Sequence, residues 1–142
     1  MTLVKQILDS KGREIWSVSA DDSVLEAIKT MAERGVGALL VMEDGRLAGI
    51  VSERDYARKV ILKGRSSEGT RVSEIMTADV ISARPEQSVE DCMSLMTEKR
   101  IRHLPVLDGE KVDGVLSIGD LVKSIIADQQ FQIEQLENYI TA

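Results

Sequence analysis

Apolar residues in this chain alternate between two rhythms, and the alternation runs through the same cycle twice. Ile15-Trp16-Ser17-Val18 is a short apolar stretch that suits a strand. Val24, Ala27, Ile28 and Met31 follow at three- and four-residue spacing, the mark of a helix with one buried face. Gly37 to Met42 and Leu47 to Ser52 then read as two strands meeting at Asp44-Gly45, a strong hairpin signal, and a further helix is predicted from about Asp55 to Leu62. The second half repeats this order. Val80-Ile81 stands for the first strand, Val89, Cys92, Met93 and Met96 for the helix, and Ile101 to Leu107 with Val112 to Ser117 for the hairpin. Its turn, Asp108-Gly109, comes one residue early, and a helix is predicted from about Asp120 onward. Ser23 with Glu26, and Ser88 with Asp91, fit the capping box that opens a helix by satisfying free backbone N–H groups.

The cycle reflects a duplication. Gly49-Ile50-Val51-Ser52-Glu53-Arg54-Asp55 returns 65 residues later as Gly114-Val115-Leu116-Ser117-Ile118-Gly119-Asp120, and the same offset pairs Met31 with Met96, Leu39 with Leu104 and Val41 with Val106. The boundaries that follow are a first unit over 1–64 including a short N-terminal helix marked by Val4, Ile7 and Leu8, a linker over 65–71, a second unit over 72–127, and a helical extension over 128–142. The extension carries Ile133, Leu136, Tyr139 and Ile140; it either covers the protein's own core or meets a second subunit. Strand, helix, two strands and a helix, twice over, make an α+β chain in which each small sheet needs helices on one face.

At 142 residues the chain can bury a sizeable core, although either half alone would be marginal. No apolar run approaches the roughly 20 residues of a membrane span, and no secretory signal pattern opens the chain. One cysteine forms no internal disulfide, which fits a reducing compartment, and the expected location is cytoplasmic. The net charge of −6 argues against nucleic acid or an anionic membrane as the main partner. Residues 1–64 carry ten basic and ten acidic side chains, residues 65–142 eight and fourteen, so the whole deficit lies in the second half. Against it stand two basic clusters, Lys99, Arg100, Arg102 and His103, and Arg54, Arg58 and Lys59, which point to small anionic ligands.

The repeated heptad has two readings. Ser52-x-x-Asp55 and Ser117-x-x-Asp120 are capping boxes, and on that reading they only start helices. A helix N-terminus also favours a phosphate, the serine hydroxyl adds a donor, and an ionised aspartate can accept hydrogen bonds from the two hydroxyls of a ribose. Gly49 and Gly114 lie inside predicted strands, where glycine is costly unless a ligand or another backbone approaches closely.

The Gly-apolar-apolar-Ser-x-x-Asp ending, the Leu104-Pro105-Val106 strand and the order of elements resemble the CBS (cystathionine β-synthase) domain, and the chain as a whole is similar to small stand-alone bacterial CBS-pair signal-transduction proteins. The resemblance implies two β-α-β-β-α units about a pseudo-twofold axis, with clefts that take AMP, ADP, ATP, NAD or S-adenosylmethionine, and a homodimer that acts on a regulated protein partner. It makes Asp55 and Asp120 ribose ligands and Ser52 and Ser117 phosphate-side contacts, with Arg54 neutralising a phosphate. Gly37, Ala38, His103 and Pro105 would line base and ribose, Arg102 with His103 would bring charge to the second cleft, and Val18 and Ile81 would flank the adenine. Trp16 either stacks on a base or closes the edge of the core. Leu40 stands where the second repeat has Pro105, and Gly119 where the first has Arg54, so the two sites are expected to differ in affinity.

Catalysis finds little support. His103 is the only histidine and lacks metal-ligand companions, Cys92 sits on an apolar helix face, and no Walker loop or nucleophile elbow appears. The expected function is therefore a non-enzymatic sensor of an adenine nucleotide without a metal. The alternative is a ligand-free assembly module.

Overall fold

Ser23 and Ser88 begin equivalent helices in the same way, each hydroxyl accepting the backbone N–H three residues on, at 3.1 Å. They open α2 (Val24–Arg34) and α4 (Val89–Lys99), which end at Gly35 and Arg100, both in the left-handed conformation. In this computed structural model, which describes residues 1–141, the other elements are α1 (Val4–Lys11), β1 (Ser17–Val18), β2 (Ala38–Glu43), β3 (Arg46–Ser52), α3 (Glu53–Tyr56), β4 (His103–Asp108), β5 (Lys111–Ser117) and α5 (Ile118–Thr141). The chain divides into two units, one of Glu14–Ile81 with Glu110–Val112, the other of Met1–Arg13, Ser82–Gly109 and the chain from Asp113 onward.

In the unit of the first repeat, β1 runs parallel to β2 and β2 antiparallel to β3. The Asp44-Gly45 loop has positive φ at both residues, the two-residue turn whose twist suits a hairpin. One face of the sheet and one stripe of α2 bury Val18, Val24, Ala27, Met31, Leu39, Val41 and Val51 together. The helix predicted over Asp55 to Leu62 is one α turn followed by a wider π turn over Ala57–Ile61, which puts Val60 into this core.

The unit of the second repeat has a two-stranded sheet, β4 with β5. The loop between them is Gly109-Glu110, with positive φ at the glycine alone, so the early Asp-Gly reflects a change of turn type. The strand predicted at Val80-Ile81 does not form. Only Ala83, the counterpart of Val18, bridges Val106. In the first repeat Leu40 N–H donates to the Trp16 carbonyl at 3.2 Å, whereas its counterpart Pro105 has no N–H to offer, so the parallel ladder shrinks to the bonds on either side of Ala83.

The segments that precede the repeats are exchanged. Although the sequence boundary at 64 groups α1 with the first repeat, Val4 N–H donates to Gln87 O and Lys5 N–H to Pro85 O, both in the second repeat's unit. Val72-Ser73-Glu74-Ile75-Met76 makes the same bonds to the first repeat, Val72 N–H to Asp22 O and Ser73 N–H to Ala20 O. This segment is α1's own counterpart, Val4-Lys5-Gln6-Ile7-Leu8, at an offset of 68 rather than 65.

Candidate functional site

Ser52 ends β3 and caps α3. Its N–H donates to Asp55 Oδ2 at 2.9 Å and its hydroxyl to the same oxygen at 3.1 Å, while Asp55 N–H donates to Ser52 Oγ at 3.2 Å. Lys59, one turn on, places Nζ 3.2 Å from Asp55 Oδ1 and donates to the Ile75 carbonyl at 2.8 Å. Glu53 N–H donates to the Gly37 carbonyl at 3.0 Å, and Ala38 pairs with Ser52 across the sheet. Gly37, Ala38, Ser52 and Asp55 are thereby gathered at one end of the sheet, with Arg54 exposed on the same turn. Val18 instead turns its side chain into the core, and Ile81 lies outside any strand, half-buried.

The second heptad repeats the geometry. Ser117 N–H donates to Asp120 Oδ2 at 2.8 Å, Asp120 N–H to Ser117 Oγ at 3.2 Å, and Ile118 N–H to the Arg102 carbonyl at 2.8 Å. Beside this end of the sheet His103 opens β4 half-buried and Pro105 is buried. Lys11 comes from α1, with Nζ 2.6 Å from Asp120 Oδ2 and 2.8 Å from the Val115 carbonyl. Burial pushes the Asp120 carboxyl up. Hydrogen bonds from Lys11 and Ser117 and the charge of Lys11 outweigh that push and hold it below the ordinary aspartate value. The bonds to Asp120 fall on Oδ2, which leaves acceptor capacity on Oδ1 for a further hydroxyl.

The two heptad glycines have an internal explanation. A Cβ at Gly49 would stand 2.9 Å from the Thr77 carbonyl oxygen and 2.8 Å from Met76 Sδ; at Gly114 it would stand 2.7 Å from Leu8 Cδ2. Close approach of the exchanged segments is by itself enough to disfavour a side chain there, through a backbone carbonyl at Gly49 and the end of a side chain at Gly114. Trp16 closes the edge of the first repeat's core, with the Arg34 guanidinium 4.1 Å from its ring centre. Lys59 could have been read from its i,i+4 spacing to Asp55, whereas nothing in the sequence pointed to Lys11. Among the described residues no cluster of His, Cys, Asp or Glu could hold a metal ion, and no helix is long and apolar enough to cross a membrane.

The pattern that defines the CBS domain matches residues 4–62 and 72–127. The chain belongs to the CBS domain family. It is 40% identical over 98% of its length to the mitochondrial CBS domain-containing protein CBSX3 of Arabidopsis thaliana, spanning 72% of that protein. A signal-transduction protein with CBS domains from Burkholderia ambifaria superimposes with a TM-score of 0.88 at 62% identity, covering 90% of this chain and 96% of the other. The CBS domain pair of protein MJ0100, solved with 5′-methylthioadenosine and S-adenosylmethionine, superimposes with a TM-score of 0.80 at 26% identity, over 90% of this chain and 98% of that one. This CBS pair thus has the architecture of regulatory modules, one of which takes adenosyl ligands.

Proposed function

We propose that this CBS pair is a regulatory module that senses an adenosine-containing ligand, AMP, ADP, ATP, NAD or S-adenosylmethionine, through its two heptads. Asp55 and Asp120 accept the ribose hydroxyls, Ser52, Ser117 and Arg54 serve the phosphate side, and Gly37, Ala38, Arg102, His103 and Pro105 border base and sugar. The observation that carries the reading is that each repeat holds a largely buried aspartate side chain at a helix start, oriented by its own serine and paired with a lysine. The likeness to the MJ0100 pair supports the adenosyl part of the ligand. Signalling requires the ligand to bind one conformation or assembly more tightly than another, because equal affinity shifts nothing. A reducing compartment such as the cytoplasm fits the lone buried thiol of Cys92.

Calorimetric titration with AMP, ATP, NAD and S-adenosylmethionine tests the reading. Asp55→Ala and Asp120→Ala should each abolish one class of site, with unequal effects because Arg54 has no counterpart in the second heptad. Retention of every affinity in the double variant refutes the ribose role. The second reading, a ligand-free assembly module, draws on the complete capping boxes and on the internal explanation of Gly49 and Gly114. It predicts no heat with any of the four compounds.

A further inference from the structure

The second half of α5 leaves the protein's own body. Leu121 and Asp128, seven residues apart, face inward, the first fully buried and the second accepting the Thr2 hydroxyl at 2.8 Å, but every residue from Gln129 to Thr141 is exposed. The extension therefore does not cover the core. About a quarter-turn round the helix from Leu121 runs a second stripe, Val122, Ile126, Gln129, Ile133, Leu136 and Ile140, spaced four, three, four, three and four apart. That is the a/d seam of a coiled coil, about 28 Å long at 1.5 Å per residue, with exposure rising from 42% at Val122 to 78% at Ile140. Helices of this length are marginal alone, and an apolar stripe of this kind is stabilised by a matching one.

We infer that this seam is the interface with a second copy of the chain, as an antiparallel two-helix coiled coil centred on Phe131. The inference stands independently of the nucleotide reading. In this alignment Val122 meets Ile140 of the second copy, Ile126 meets Leu136, and Gln129 meets Ile133, so every apolar seam position finds an apolar or uncharged partner. The flanking positions decide the direction. Lys123 falls opposite Glu137 of the second copy, twice by symmetry, although no other Lys or Arg lies between Lys123 and the end of α5 and Asp128, Glu134 and Glu137 make that stretch acidic. A parallel pairing sets Lys123 beside Ile118 and Glu137 beside Gln132, without opposite charges, and stacks Gln129 on itself. On the other flank Tyr139 of the second copy arrives at Ile125, which with Met1, Asp128 and Phe131 lines an open groove of about 530 Å³.

Sedimentation of the full chain across a concentration series tests this. The wild-type protein should self-associate, and Ile133→Glu with Leu136→Glu should halve its mass and raise the dissociation constant at least about a hundredfold, while the body of the protein still unfolds cooperatively in urea because both positions are exposed. Lys123→Glu and Glu137→Lys should each weaken association about tenfold and together restore it to within about threefold. An equimolar mixture of Ile126→Cys and Leu136→Cys proteins should oxidise to the mixed disulfide, the native Cys92 being buried. A monomeric wild-type chain, an assembly indifferent to the seam substitutions, failure of the paired charge reversal, or predominance of homodisulfides overturns the proposal.

Discussion

Lys11 at the end of α1 and Asp120 in the first turn of α5 stand 109 positions apart in the chain and 2.6 Å apart at their charged atoms. The first heptad obtains its lysine differently. Position 124, the counterpart of Lys59, is serine, and position 79, the counterpart of Lys11 at the 68-residue offset, is aspartate. Each heptad carboxylate thus has a lysine partner, from within its own helix in the first repeat and from the exchanged helix in the second. A local pair tolerates movement of distant elements, whereas the Lys11 pair ties the heptad of the second repeat to the docking of α1.

Replacing Lys11 with Met should raise the Asp120 pKa, because burial then acts with less opposition. The sign for stability follows from the depressed folded value. The Asp120 contribution is present above the unfolded aspartate pKa and is lost as pH falls through the folded one. Wild-type protein should therefore lose stability on acidification, and Lys11→Met should lose less, starting from a value lower by about 0.5–1 kcal/mol because Lys11 is 37% exposed. Carboxyl-detected NMR titration and urea unfolding between neutral and acidic pH measure both.

The two heptad glycines should differ in their tolerance of a methyl group. Gly49→Ala drives Cβ against a backbone carbonyl that is itself paired with β3, whereas Gly114→Ala meets only the end of the flexible Leu8 side chain. Urea unfolding should show a loss of about 2–3 kcal/mol for the former and about 1 kcal/mol for the latter. Equal losses would mean that the exchanged segments are not what holds these positions small.

Leu40→Pro imposes the second repeat's chemistry on the first. It removes the N–H that reaches the Trp16 carbonyl, and β1 should shrink to a single bridge, as at Ala83. The expected cost is about 1–3 kcal/mol. Hydrogen exchange should show faster amides around Ser17 and Val18.

Burial, followed by the nearby charge of Asp91, pushes the Cys92 thiol up to about 11. Between the unfolded value near 9 and the folded one, the unfolded chain has released a proton that the native state retains, so stability falls with rising pH across that window by about 2–3 kcal/mol. A thiol reagent at pH 8 should label Cys92 only as fast as the protein opens, and Cys92→Ala should flatten the alkaline decline. Rapid stoichiometric labelling of native protein would contradict the burial.

Both hydrophobic periods, the duplication, the Ser23 and Ser88 caps and the Ser-x-x-Asp boxes were legible along the chain, because each depends on residues within about a turn of one another. Lys59 was legible for the same reason. The loss of the strand at Val80-Ile81 was half-legible: Pro105 was visible, but the bond it withholds is made across the sheet. The tertiary structure alone decided that α1 and residues 72–76 dock on the repeat they do not precede, and that Leu8 and Met76 crowd Gly114 and Gly49. It alone brought Lys11 to Asp120, and it alone showed that the C-terminal extension leaves Gln129 to Thr141 exposed instead of covering the core. Period and capping are properties of neighbouring residues and are written in one dimension. Which segment fills a given groove is a competition among distant parts of the chain for buried area, and that competition is settled only when all of them pack.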